Sequence, residues 1–169
     1  MTAIRAEAVP TEDGFVRLVA SMQPRSAPSR LAALLGNGPV PWPLRSGGNV
    51  GVEGMRTFAI DLGIRLHDEP GAMGRLHKSA YLDLGWLRPT PTGWESEINW
   101  RAATAAPLFP VFSGRLTIDP DRLQIDGLYA PPGGVVGRVA DRLLLHVAAN
   151  ATARWVLAEI DRAALALPG

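Results

Sequence analysis

The sequence predicts an α+β domain in which a curved antiparallel sheet of about six or seven strands wraps around one long C-terminal helix. Three observations carry this. Alternating apolar and polar residues recur in short runs between Phe15 and Tyr129. Turn residues separate those runs at spacings that suit antiparallel neighbours. From Gly137 to about Leu165 no Gly or Pro interrupts, and apolar residues return at helical spacing.

The first strand is expected over Phe15–Met22, where Phe15, Arg17 and Val19 alternate with Val16, Leu18 and Ala20. A short helix should follow in "PRSAPSRLAALLGNG", with Ser29 as its N-cap and Gly36 as its stop. The segment from Gly38 to Gly54 holds too much Pro and Gly for regular structure and reads as a loop. The clearest strand begins at Thr57, with Phe58, Ile60, Leu62, Ile64 and Leu66 on one face.

Two further strands place Ala80, Leu82, Leu84 and Trp86 in one register, then Trp94, Ile98, Trp100 and Ala102 opposite Glu95, Glu97, Asn99 and Arg101. "RPTPTG" between them reads as a turn, and Phe109 and Phe112 fall in a loop. A hairpin is expected around Asp119, Pro120 and Asp121. Pro131 and Pro132 then end strand pairing, and Gly133 and Gly134 let the chain turn into the helix. At about 1.5 Å per residue that helix is roughly 40 Å long, enough to cross the sheet. Its sheet-facing stripe is expected to include Leu143, Val147, Ala151 and Trp155.

At 169 residues the chain suits a single domain, and its 47% hydrophobic and 20% charged residues fit a globular protein. The formal net charge is +1 with Lys and Arg dispersed, so no nucleic-acid partner is expected. There is no cysteine, which removes disulfides, thiolate metal sites and thiol nucleophiles. The start "MTAIRAEAVPTEDGF" lacks a basic end followed by an apolar core, and no apolar run approaches the roughly 20 residues of a membrane span. A cytoplasmic location is expected. The sequon at Asn150 lies within the helical pattern and is not read as a glycosylation site.

No motif for metal, phosphate or nucleophilic chemistry is present. His67, His77 and His146 lack ligand spacing, no G-x-S-x-G occurs, and Gly48, Gly51 and Gly54 match neither a dinucleotide fingerprint nor a P-loop. Neither a cofactor nor a metal is expected, and no catalytic residue is assigned. Arg138, Asp141, Arg142 and His146 fall largely off the apolar stripe and read as a solvated flank. Ser96 shares the apolar face with Trp94, Ile98 and Trp100, where its hydroxyl would either orient a ligand or bond the backbone. The aromatic set Trp86, Trp94, Trp100, Phe112, Tyr129 and Trp155 would either line a pocket or form a solid core.

The order of strand, short helical region, antiparallel strands and C-terminal helix resembles the helix-grip fold of the START and birch-pollen-allergen superfamily, SRPBCC. The likeness is strongest in "LFPVFSGRLTI" and in "LQIDGLYAPPGGVVGRVADRLLLHVAANATARWVL", which are similar to actinobacterial-type members. The resemblance implies a cavity for an apolar small molecule such as a lipid, quinone or polyketide. It would be lined here by Trp86, Trp94, Ser96, Ile98, Trp100, Phe112, Tyr129, Leu143, Val147 and Trp155. Where many members carry two clear helices, the region after "SAPSRL" is compact and rich in Pro and Gly, which alters the expected cavity entrance. A binding protein is the first expectation; an aromatase or cyclase using the same cavity, or an interaction module with a filled groove, are the alternatives. Oligomeric state stays open.

Overall fold

The computed structural model describes residues 4–11, 14–36, 55–65, 75–103, 111–130 and 139–167, with backbone alone for 61–65, 75–78, 102 and 139–148. Among these residues one antiparallel sheet and two helices form an α+β fold. The strands are β1 (Arg5–Pro10), β2 (Val16–Met22), β3 (Arg56–Arg65), β4 (Arg75–Leu84), β5 (Arg88–Pro89), β6 (Trp94–Ala102), β7 (Val111–Ile118) and β8 (Leu123–Ala130). Helix α1 spans Pro28–Leu35 and α2 spans Val139–Ala166.

The sheet runs β1-β2-β8-β7-β6-β4-β3, with β5 paired to β6 alone. The early strand β2 thus lies beside the last strand β8, and the other strands follow by antiparallel pairing. Register places the apolar residues of neighbouring strands in rows. Val16 opposes Tyr129, Tyr129 opposes Phe112, Phe112 opposes Trp100, Trp100 opposes Leu82, and Leu82 opposes Phe58. A one-residue slip would turn this whole set to the other face, so the alternation fixes the pairing.

Helix α2 packs closely on β1, β2, β8 and β3, which lie toward the two ends of the strand order, and on α1. The central strands β7, β6 and β4 are not among its close partners. A flat sheet crossed by a helix would bring the middle strands nearest. The sheet is curved, and its flanking strands come nearest the helix. The largest fully buried side chains, Trp100, Phe112 and Tyr129, belong to β6, β7 and β8.

The short helix is locked to the long one by a buried carboxylate. Asp161 of α2 is fully buried, and its Oδ1 accepts from the backbone N–H groups of Arg25 (2.9 Å) and Ser26 (3.0 Å). Its Oδ2 accepts from Arg25 Nε at 2.8 Å, while Ser26 Oγ donates to the Asp161 carbonyl at 3.0 Å. Helix ends leave carbonyls without intrahelical partners. Arg30 donates to the carbonyls of Ala164 and Leu167 at the end of α2, and Arg56 donates to those of Leu35 and Gly36 at the end of α1.

Several expectations are corrected. Strand β1 precedes the first expected strand, and "RPTPTG" contains β5 as well as a turn. Helix α1 starts after Ala27 without a side-chain cap. Pro28 takes its first turn because its fixed φ suits that position, so Ser29 lies inside the helix. Phe112 belongs to β7, not a loop, and is fully buried. The buried stripe of α2 runs through Ala149, Ala153, Val156, Ile160 and Ala164, while Ala151 and Trp155 are half-buried beside it. The rotation arises because small apolar residues occupy much of the helix circumference, leaving several stripes equally regular in sequence. The expected corner at Pro131–Gly134 and the loop at Gly38–Gly54 lie outside the described residues.

Candidate functional site

The interior aromatic row begins with two glycines. Gly114 and Gly127 oppose each other on β7 and β8, and a Cβ at either would fall 2.6 or 2.7 Å from Phe112 Cζ. Their missing side chains are what let the Phe112 ring lie over the sheet. Trp100 stacks on that ring with centroids 3.8 Å apart and planes inclined by 10°. Centroids this close leave little lateral offset, so the pair contributes through the apolar area that it buries.

The row also carries polar atoms in an apolar setting. The Trp100 side chain is 0% exposed, and its Nε1 has no hydrogen-bond partner. The Asn150 Oδ1 on α2 is likewise buried without a partner. A buried polar atom left unpaired costs about 1–3 kcal/mol, which makes such atoms rare and informative. Tyr129 is fully buried, and burial pushes its hydroxyl up to about 12. The phenol therefore stays protonated at neutral pH.

The ten sequence-derived candidates divide by position. Ile98, Trp100, Phe112 and Tyr129 lie together on the buried inner face, with Trp94 half-buried against them. Ser96 shares that face, but its hydroxyl donates to the Gly85 carbonyl at 2.9 Å, with the Glu97 carbonyl a second acceptor at 3.1 Å. It ties β6 to the segment after β4 and is not free for a ligand. Trp86 lies beyond the end of β4, where the alternation no longer holds, and is 54% exposed with Arg56 5.7 Å from its ring centre. Trp155 is half-buried against the core. Leu143 and Val147 belong to α2, and their side chains lie outside the described set.

Two clefts lie elsewhere, neither lined by Trp100, Phe112 or Tyr129, although Ser96 and Gly85 border the smaller one. One of about 360 Å³ is lined by Arg5, Ser21, Met22, Gln23, Asp121 and Arg122. A smaller one of about 90 Å³ involves Trp86, Glu95, Glu97 and Arg115. Arg115 already pairs with Glu95 at 3.0 Å there. Among the described residues no cluster of His, Asp or Glu could hold a metal ion, and no helix is long and apolar enough to cross a membrane.

Sequence reasoning met Asn150 only as a sequon and did not single out Asp161. A polar residue within the apolar run "LLLHVAANATARW" was the available signal for the first. For Asp161 the partners lie about 136 positions away, beyond any local pattern. In comparisons with known proteins the chain matches no protein-family model, no curated protein and no solved structure.

Proposed function

We propose that this chain is a cytoplasmic helix-grip protein of SRPBCC type that binds an apolar or amphipathic small molecule between its sheet and α2. The observation that carries the reading is the buried aromatic row Tyr129–Phe112–Trp100 across β8, β7 and β6, of which only β8 is a close partner of α2. The placement of β2 beside β8, followed by antiparallel pairing out to β3, supports the helix-grip comparison.

Chemistry has weaker support. Asp161 is consumed by Arg25 and Ser26, and Tyr129 is held protonated far above neutral pH, so neither is poised as a general base. An interaction surface is a second reading, favoured by exposed Val111 and Leu128 on the outer face of neighbouring strands. Sedimentation of the wild type and of Leu128→Ser tests it: self-association lost in the variant supports that reading.

The binding reading is tested by titrating palmitate, menadione and fluorene while following tryptophan fluorescence and calorimetric heat. At least one should bind with a dissociation constant near micromolar, about 8 kcal/mol. Ile98→Phe adds bulk to the same face and should weaken that binding by about tenfold with little change in melting. Absence of binding across the panel, with strong destabilisation by Ile98→Phe, would overturn it.

A further inference from the structure

We infer that Trp86 and the cleft beside it bind a neutral pyranose sugar, at a site apart from the interior aromatic row. The indole is turned outward by a β-bulge. Leu84 pairs with Ile98 and Arg88 with Glu95, while the Gly85 N–H donates to the Glu97 carbonyl at 2.9 Å. Trp86 and Leu87 together therefore oppose Ser96, and the extra residue shifts the alternation by one. Leu87 packs against the core, and Trp86, which an unbroken strand would turn inward, is 54% exposed. The bulge is held from the buried side, where the Ser96 hydroxyl donates to the Gly85 carbonyl at 2.9 Å. A Cβ at Gly85 would crowd Glu97 Cβ at 3.2 Å, so the missing side chain lets the bulge lie close against β6.

The surroundings define the ligand. Beside the indole, the cleft is lined by two guanidiniums, Arg88 and Arg115, and two carboxylates, Glu95 and Glu97. Their charges cancel, so an anion and a cation each meet a group of like sign, and a neutral occupant is favoured. Arg115 and Glu95 pair at 3.0 Å, whereas the exposed side chains of Arg88 and Glu97 engage no hydrogen bond or ion pair among the described residues. The first can only donate and the second can only accept. Hydroxyl groups do both, so a polyol uses the two together. Arg56 lies over the indole, its guanidinium carbon 5.7 Å from the ring centre, and is itself anchored on the carbonyls of Leu35 and Gly36. The ring is thus positioned yet open to solvent. A pyranose with equatorial hydroxyls offers a flat, slightly positive C–H face to the negative face of the indole, and its hydroxyl edge reaches Glu97 and Arg88. A cleft of about 90 Å³ takes part of one sugar ring, which suits a terminal residue.

The test is a matched series on one sugar skeleton: methyl β-glucopyranoside, methyl glucuronide and methyl glucosaminide, titrated into the full chain and followed by saturation-transfer NMR. The neutral glycoside should bind with a dissociation constant of about 1 mM, and each charged analogue about tenfold more weakly. Saturation should reach the axial protons of one ring face more strongly than those of the other. Trp86→Leu keeps an apolar side chain without the aromatic face and should weaken binding about tenfold. Glu97→Ala removes an exposed hydroxyl acceptor, should weaken binding about fivefold, and carries the test if the first variant fails to fold. No binding of the neutral glycoside to the wild type, tighter binding of either charged analogue, equal transfer to both ring faces, or affinity unchanged in either variant would overturn the inference. Each of these results leaves the interior reading standing, because neither Trp86 nor Glu97 belongs to the Tyr129–Phe112–Trp100 row.

Discussion

Two buried polar regions of this protein are treated in opposite ways. Between the helices, the Asp161 carboxylate receives two backbone amides and an arginine, and the backbone carbonyl of the same residue accepts from Ser26. Over the sheet, the Trp100 N–H and the Asn150 Oδ1 are buried with no partner. The chain thus satisfies a full buried charge at one place and leaves neutral groups unpaired at another. The first arrangement stabilises a fixed junction. The second leaves hydrogen-bonding capacity unused, which the proposed binding function would account for.

The largest effect should come from breaking the satisfied region. Asp161→Ala would orphan the amides of Arg25 and Ser26 and release the start of α1, costing about 3 kcal/mol in chemical denaturation. Asp161→Asn retains an acceptor oxygen and should cost roughly half as much. The same carboxylate sets an acid limit. Burial alone would raise its pKa, but Arg25 and the Ser26 and Arg25 amides outweigh that and hold it below the ordinary value. A lowered folded value means the stabilisation is present above about pH 4 and is lost as pH falls through the lowered value. The wild type should therefore lose more stability than Asp161→Asn on acidification below pH 4.

A smaller effect is expected where the aromatic row meets the sheet. Gly127→Ala would set a methyl group 2.4 Å from the Ser113 carbonyl oxygen and 2.7 Å from Phe112 Cζ. Overpacking of this kind costs about 1–3 kcal/mol, read as a lower melting temperature. The Trp100–Phe112 stack should loosen with it, visible as a change in near-ultraviolet circular dichroism.

The smallest effect should follow from removing the unpaired donor itself. Trp100→Phe loses buried area but also removes an unsatisfied N–H, so the net change should stay within about 1–2 kcal/mol. Tyr129 adds an alkaline counterpart. Its folded value of about 12 is above the ordinary 10, so its contribution is complete below pH 10 and disappears as pH rises through 12. Tyr129→Phe should flatten that part of the stability curve.

Much of the sheet was legible because alternation has a strict period of two. β2, β3 and β6 could be placed from their apolar faces, and Asp119–Asp121 marked the β7–β8 turn. Strand β1 was not, because "RAEAVP" alternates only small residues against charge and ends in proline. Helix α2 was legible from its uninterrupted apolar pattern, and Ala151 and Trp155 do pack against the core, while Ala149, Ala153, Val156 and Ile160 are the residues fully buried. In the interior, parity correctly grouped Ser96, Ile98 and Trp100 on the buried face of β6. It could not say that Ser96 is bonded to Gly85 while Trp100 is unpaired. Pairing of polar atoms depends on contacts across many residues, which no local pattern records.

The contrast between the two regions is tested most directly by nitrogen-edited NMR of the labelled protein during titration with menadione, whose carbonyl oxygens can accept from an unpaired N–H. Five indole N–H signals are expected from the five tryptophans, assigned by substitution. The Trp100 indole proton should move downfield and slow its exchange with solvent as ligand is added, while the amides of Arg25 and Ser26 hold their positions. If the Trp100 signal stays in place at saturating ligand, or already exchanges as slowly as the Asp161-bonded amides without it, the unpaired donor is not a binding group and the account fails.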